Sequence, residues 1–564
     1  MLLQQICQCS DINCSFECDR MKKSMQNPKE KIYSILTKLA SDLGVNDLAF
    51  KVEIPKDKNN GDLSSNIALI LAKTLKKNPM ELAQALVSKL PEMDIIEKAK
   101  AATPGFINFY FSKEFLAKEL KNIIDKDSVY GSLNIGKGKK ASVEFVSANP
   151  TGPLHIGNAR GGPLGDTIAN VLIKVGYEVT REYLHNDVGG QVERLGEAIY
   201  FQIHPDQKSE TYEVQYQGEY IKELANQVKE ELSSHDDLSQ EEFIEKAGKI
   251  AVEFMLTEIL KDCELMGIKF DKVRKESDLR KEVPKALAKI KSSLTQKDGA
   301  LWFAPNDEFL KDRETVVKKS DGQYTYFASD IVYHMEKFEA KNDLVVDILG
   351  ANHSGHVPRL QAIVKALGFD VSNFKVILYQ WIRLKRGEEI VKMSKRAGTF
   401  VTAKEVLDEV GKDAFRFFLL MPRSQTHMDF DLDLAKKKAS DNPVFYVQYA
   451  YTRIASIFKK AEIPNIKAKK ADLSLLKTKE ELALIRQLIN FPYLIEQIAV
   501  SFEVNGLTTY VIEIANSFHK FYEANHVISK DKEMTLARLS LLKATQIVLK
   551  NTLDLLGVSA PEEM

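Results

Sequence analysis

What the chain has little of narrows it first. No apolar run approaches the roughly 18 residues that a membrane-spanning helix needs, residues 67–72 being typical of the longest. Net charge is missing too, since lysine plus arginine and aspartate plus glutamate number 79 each. Without a broad positive field, contact with RNA has to rest on local patches such as Lys436-Lys437-Lys438 and Lys467-Ala468-Lys469-Lys470, which in isolation read first as solvated helix faces. Cysteine is scarce. Of five, Cys7, Cys9, Cys14 and Cys18 crowd the start and only Cys263 lies in the body, so the body needs no disulfide, as suits a reducing compartment. Their spacing does not match paired C-x-x-C knuckles, and no structural zinc is expected. The opening segment carries Asp11, Glu17 and Asp19, has no long apolar core and is not arginine-rich. It resembles neither a secretory nor an organelle signal, and residues 1–25 read as an unstructured or dispensable leader, with Met21 or Met25 as equally good starts. Internal repeats and low-complexity tracts are absent as well.

What is present exceeds one hydrophobic core, because 564 residues imply about three domains. Residues 26–130 mix helical spacing with the alternating run Gly105 to Phe111 and read as a small α+β domain. From 131 to 412, short apolar runs (Val143 to Ser147, Glu178 to Leu184, Leu344 to Leu349, Phe374 to Trp381) interleave with helical patterns. That alternation predicts an α/β, doubly wound parallel sheet, Rossmann-like, with its ligand site at the strands' carboxyl ends. Residues 192–292 interrupt it with a highly charged helical stretch, taken as an insertion. Residues 413–564 read as an all-α helical bundle in which Asp441-Asn442-Pro443 caps one long helix.

Two short segments carry the chemistry. The first, Ser147-Ala148-Asn149-Pro150-Thr151-Gly152-Pro153-Leu154-His155-Ile156-Gly157-Asn158, leaves a β-branched run through a Pro/Gly turn and opens a helical pattern. Helix N-termini present unsatisfied N–H groups, and glycines let a phosphate approach the backbone, so this is an anion site. The second, Lys392-Met393-Ser394-Lys395-Arg396, offers cations that can neutralise charge growing on transferring phosphates. Together they point to ATP as substrate and to chemistry at its α-phosphate.

The pair resembles the two signature motifs of class I aminoacyl-tRNA synthetases, with Asn158 where that family usually has a second histidine: a hydrogen-bond donor is kept and a titratable ring is lost. The resemblance implies that His155, Asn158, Lys392 and Lys395 are catalytic. It places Pro153, Gly157, Met393 and Ser394 against ATP. Gly350-Ala351-Asn352-His353-Ser354-Gly355-His356 follows an apolar strand where the family contacts the nucleoside. Its histidines could instead be metal ligands, but no third ligand sits at suitable spacing, and Gly350, Asn352, His353 and His356 are expected to meet adenosine.

The charges nearby suggest which amino acid is joined. Glu144 precedes the turn, and Tyr326 and Asp330, four apart, share one helix face. Paired carboxylates with aromatic support suit a planar guanidinium better than the point charge of lysine, though each element also occurs in ordinary helices and strands. The stretches around Glu144, Asn149, Tyr326 and Asp330 are similar to the arginine-binding pattern of arginyl-tRNA synthetases, and Gln191, with Glu182, His185, Asn186 and Asp187, to a further motif near that site. His185 and His334 read as satisfied polar residues.

Nucleotidylyl transferases such as pantothenate synthetase share similar ATP motifs, so the acceptor is decided elsewhere. The aromatic and basic runs at Asn442 to Ile454 and Phe518 to His526 can stack on bases and meet phosphate, or can simply be core. Both resemble the anticodon-binding domain of arginyl-tRNA synthetases, and residues 61–69 with 104–108 resemble their N-terminal domain. The resemblance implies tRNA contacts at Asn66, Phe109, Tyr446, Tyr449, Arg453, Tyr522 and His526. The expected activity is arginine–tRNA ligation through arginyl-adenylate, with Mg2+ accompanying ATP and with tRNA(Arg) and L-arginine as partners. No DNA or membrane partner is expected, and the setting is expected to be cytoplasmic and the protein a monomer. A non-catalytic paralogue that binds tRNA or senses arginine is the alternative, kept open by Asn158 and opposed by the intact lysine motif.

Overall fold

The computed structural model describes residues 27–207, 215–233, 238–311, 313–391, 401–461 and 471–564. The leader with its cysteines, the segment from Lys392 to Arg396 and the patch Lys467 to Lys470 lie outside them. The chain divides into two units, the first drawn from residues 1–127, 464–489 and 520–544, the second from 128–463, 490–519 and 545–564.

The first unit contains a four-stranded antiparallel sheet in the order Val52–Glu53, Leu63–Ser65, Phe106–Phe111, Ile96–Ala102. Helices Pro28–Asp42, Ile67–Leu75 and Pro79–Ser88 supply apolar stripes such as Ile32, Leu36 and Ala40. Proline at the start of two of these helices follows an asparagine whose side chain accepts from the first turn, so sequence sets both entry points. Helix Lys113–Lys126 packs on Lys479–Ile489, from far along the chain. Ion pairs tie helix Lys479–Ile489 to the rest of this unit: Arg486 Nε lies 2.9 Å from Asp62, and Arg538 Nε 2.9 Å from the buried Glu481.

The second unit is built on a five-stranded, wholly parallel sheet. Its spatial order is Lys272–Lys275, Glu178–His185, Lys140–Glu144, Leu344–Gly350, Phe374–Tyr379, which in chain order is 3-2-1-4-5. The order reverses between Lys140–Glu144 and Leu344–Gly350, and the crevice at that switch point is where doubly wound sheets bind ligands. The strand Lys272–Lys275 corrects the expected insertion, since it lies inside residues 192–292 yet pairs with Glu178–His185. Its charged sequence disguised it, but an edge strand tolerates charge. The helices Gly190–Ile203, Glu219–Glu231 and Gln240–Leu265 close a separate small core around Leu195, Ile199, Leu224, Val228 and Ala251.

Helix Gly161–Lys174 covers the sheet so closely that a Cβ on Gly165 would stand 2.2 Å from the Phe145 ring, which only glycine avoids. Beyond residue 413 the described residues are mainly helical, though Met428–Asp431 pairs in parallel with Ile382–Arg386. Asn442 caps helix Pro443–Lys460 as expected. Its Oδ1 accepts from Val444 N, and its Nδ2 donates to Ala435 O and Lys437 O. Asn442→Ala is expected to cost about 1–2 kcal/mol in a denaturant melt, because one buried amide serves both the cap and the loop before it.

Candidate active site

The strand Lys140–Glu144 ends in a sharp departure: Val146 and Ser147 have φ of 68° and 37°, conformations disfavoured for any residue with a Cβ and most for a β-branched one. The turn folds Ser147 back, so that its hydroxyl donates to Glu144 Oε1 at 2.9 Å while accepting from Leu184 N. It also aims Asn149 into a cavity of about 1500 Å³ at the switch point. Asn186 Nδ2 donates to Asn149 Oδ1 at 2.6 Å, so the amide nitrogen of Asn149 is left oriented for an acceptor. His155 is the N-cap of the next helical turn, and its Nδ1 accepts from Gly157 N at 2.9 Å. A ring held this way carries its hydrogen on Nε2 and acts as a donor.

The chain picks up again beside this turn after the lysine motif. Ala403 N donates to Leu154 O at 2.7 Å, Ile156 N to Val401 O at 3.3 Å, and His155 and Thr402 form an antiparallel bridge. Residues five to seven positions after Arg396 therefore run along the phosphate turn, and Thr402 then starts a helix with a full capping box to Glu405.

Helix Tyr326–Glu339 supplies the opposite wall. Tyr326 is 61 % exposed and lines the cavity. Asp330 Oδ2 lies 3.1 Å from His356 Nε2, which ties the helix to the turn after strand Leu344–Gly350. Burial, with His356 adding to it and Asp330 opposing, holds the His353 imidazole below its ordinary value, so it is neutral at pH 7. A neutral imidazole suits a nucleoside. Among the described residues no group of three histidine, cysteine, aspartate or glutamate side chains is arranged to hold a metal.

The cavity thus collects Glu144, Asn149, His155, Gly157, Asn158, Gln191, Tyr326, Asp330, Gly350, Asn352, His353 and His356. Pro153 sits in the turn but off the cavity wall, and of the further motif only Asn186 joins Gln191 there. His334 is satisfied as expected, with Nδ1 on Asp330 O at 2.8 Å and Nε2 on Asp347 at 2.9 Å. His185 is fully buried, and neither ring nitrogen has a hydrogen-bond partner within normal reach. Lys392, Met393, Ser394 and Lys395 lie outside the described residues.

Sequence reasoning missed the cations at the rim, Arg194, Arg280, Arg313 and Lys319, because isolated basic residues in charged helices and loops give no signal. It also missed the polar row beneath the floor. Asp347, Glu144 and Glu182 stand in register on three adjacent strands, facing Lys337 and Tyr333 from the covering helix.

Of the expected RNA contacts, Tyr446 donates to Asn516 Oδ1 at 2.9 Å and lies 4.9 Å from the His519 ring. Arg453 donates to Tyr449 OH at 2.6 Å. In the first unit, Tyr522 and His526 are exposed and Asn66 is half-buried. Phe109 is a correction. It has no exposure at all, being inward-facing in its sheet, and packs the core rather than touching RNA.

The comparisons agree with this geometry. The family model "tRNA synthetases class I (R), catalytic domain" matches residues 119–428, "Arginyl tRNA synthetase N terminal domain" residues 26–111, and "DALR anticodon binding domain" residues 447–564. The chain is 42 % identical to the arginine–tRNA ligase of Carboxydothermus hydrogenoformans, over 92 % of this chain and 95 % of that one. It is 41 % identical to that of Thermotoga maritima, over 95 % and 99 %. Among solved structures, Thermus thermophilus arginyl-tRNA synthetase superposes with a TM-score of 0.77 at 23 % identity, covering 95 % of this chain and all of that one, a likeness of fold.

Proposed function

The chain belongs to the arginyl-tRNA synthetase family and joins arginine to tRNA with ATP, and from that premise we propose how its own residues divide the work. Arginine lies along helix Tyr326–Glu339 with its guanidinium on Asp330, the Tyr326 ring beside it and Glu144 in the floor. Asn149 and Gln191 hold the α-amino and carboxylate end. The observation that carries this reading is Asp330, a carboxylate lining the cavity at the switch point, paired among the described residues with an imidazole that can yield it. A planar five-donor group satisfies such a carboxylate better than an ammonium does.

Mg–ATP lies with its phosphates on the turn at His155 to Asn158 and its nucleoside against Gly350, Asn352, His353 and His356. The arginine carboxylate attacks the α-phosphorus in line and pyrophosphate leaves. A terminal ribose hydroxyl of tRNA then attacks the arginyl carbonyl, forming the ester as the mixed anhydride breaks and AMP leaves. Nε2 of His155 and the amide of Asn158 donate to the phosphate oxygens, while Lys392 and Lys395 neutralise the charge that grows there. None of these roles requires a proton from the second position of the motif, so asparagine serves. The exposed Tyr449 and the half-buried Tyr446 and Arg453 of helix Pro443–Lys460, with Tyr522, His526 and Asn66, meet tRNA(Arg). The reading is completed by a monomer working in the cytoplasm, where tRNA and ATP meet, with neither DNA nor a membrane as partner.

Arginine-dependent ATP–pyrophosphate exchange tests this, with lysine and glutamine as controls, with and without tRNA. Exchange with arginine alone, and only when tRNA is present, is expected from the family's habit. Exchange driven equally by lysine would remove the guanidinium site.

A further inference from the structure

We propose that Lys337 is a positioning residue for arginine selection: its ammonium is the counter-charge that fixes the Glu144 carboxylate in the cavity floor, ready for a guanidinium. This rests on the arginine pocket described above.

The argument begins with the row of acids. Asp347, Glu144 and Glu182 are directly opposite one another on neighbouring strands, and like charges so placed repel. All three are buried. Charges taken out of water persist only when paired and hydrogen-bonded. Lys337, without exposure, donates to Glu144 Oε2 at 2.5 Å and Asp347 Oδ1 at 2.7 Å, and its Nζ lies 4.0 Å from the Tyr333 ring centroid. Burial works against this ammonium, but Asp347, Glu144 and Glu182 outweigh it and push the lysine above its ordinary value. Asp347 feels burial too, yet Lys337 and His334 bring it down to about 2. Glu144 goes the other way: burial and Asp347 raise it, with Lys337 and Ser147 holding it back. Glu182 is met by Ser142, Tyr333 and, at 3.5 Å, Lys272.

Glu144 is therefore the member of the row whose ionisation hangs on one partner. It lines the substrate cavity, as Asp347 does, whereas Lys337 does not. Lys337 never touches arginine. It acts through the carboxylate.

Removing the ammonium leaves Glu144 beside Asp347 with only a hydroxyl, and an acid so placed holds its proton to higher pH. A neutral carboxyl has lost its attraction for a guanidinium, and raising the pH restores it. Lys337→Met is thus expected to raise the arginine KM in ATP–pyrophosphate exchange at pH 7 by about tenfold or more, with ATP KM and kcat within about threefold. The arginine KM should fall back toward the parent value as pH rises to about 8.5, while the parent itself changes little. A structural role predicts neither the selectivity for arginine nor the pH profile. Equal damage to arginine and ATP KM, or a pH profile parallel to the parent's, overturns the proposal.

Asp347→Asn is the second variant, and it guards against a Lys337→Met chain that fails to fold. It removes a charge from the same cluster but leaves the Lys337–Glu144 pair in place, so it is expected to lower the melting temperature with arginine KM within about threefold of the parent. An arginine KM raised by tenfold there overturns the proposal as well. Parent enzyme that shows no arginine-dependent exchange would defeat the underlying pocket instead, and the two failures are read in separate assays.

Discussion

Lys395→Ala is expected to lower kcat for arginine-dependent ATP–pyrophosphate exchange by about 10²- to 10³-fold while arginine KM moves less than about threefold. In the proposed complex the lysine motif meets the phosphates, not the amino acid. Seven residues beyond Lys395, Thr402 bridges His155, the cap of the phosphate turn, and Ala403 binds Leu154 O at 2.7 Å. The exit of the motif is thereby sewn to the site where the α-phosphate lies in the proposed complex. As arginine's oxygen attacks, negative charge accumulates on the phosphate oxygens in the transition state and leaves with pyrophosphate. A cation whose contact strengthens only then changes kcat, whereas one that bound substrate equally would change KM. Steady-state exchange across both substrate concentrations reads the split. A collapse of arginine affinity with kcat preserved would assign Lys395 to the amino acid.

The parts of this site that could be read from the sequence are those generated locally. The phosphate turn announces itself because strand, Pro/Gly turn and helix start are contiguous, and Tyr326 with Asp330 because a helix repeats its face every four residues. Asn442 before a proline is a local signal as well, and the structure uses it as a cap. What stayed hidden depends on partners distant in sequence. Lys337 follows Glu336 directly in the sequence, and in a one-dimensional reading a lysine there is a surface residue. Only the in-register strands beneath it supply two carboxylates. Residues 272–275 read as part of a charged helical insertion, and became a strand because the edge beside Glu178–His185 was available. Phe109 was misassigned by a resemblance that ignores which face an alternating strand turns inward. The division of the first unit is of the same kind. No pattern along the chain tells that Asp62 and Arg486 form one ion pair, or that helix Lys479–Ile489 packs with the N-terminal sheet domain's helix Lys113–Lys126.

Asp330→Asn should fail differently from Lys395→Ala. Its expected signature is an arginine KM raised about 30- to 300-fold, with ATP KM and kcat little altered, since a charge-assisted pair in a recessed site is worth about 2–4 kcal/mol when one partner is truncated. The side chain is about one-fifth exposed at 18 %, open enough for substrate yet shielded enough for its charge to count. Asparagine keeps the shape and can still meet His356, so the turn from Gly350 to His356 should hold and adenosine binding with it. Removing the charge leaves the guanidinium with Glu144 alone, and that carboxylate is already bound by Lys337 and Ser147. Glu144→Gln should then show a smaller increase in arginine KM together with a loss of stability, because an amide in its place leaves Lys337 with one carboxylate fewer. Arginine titrations of exchange, run beside melting curves for both variants, separate the two roles: a large KM effect with an unchanged melt for Asp330→Asn, and the reverse weighting for Glu144→Gln. Unchanged arginine kinetics in both would remove the pocket from this wall of the cavity.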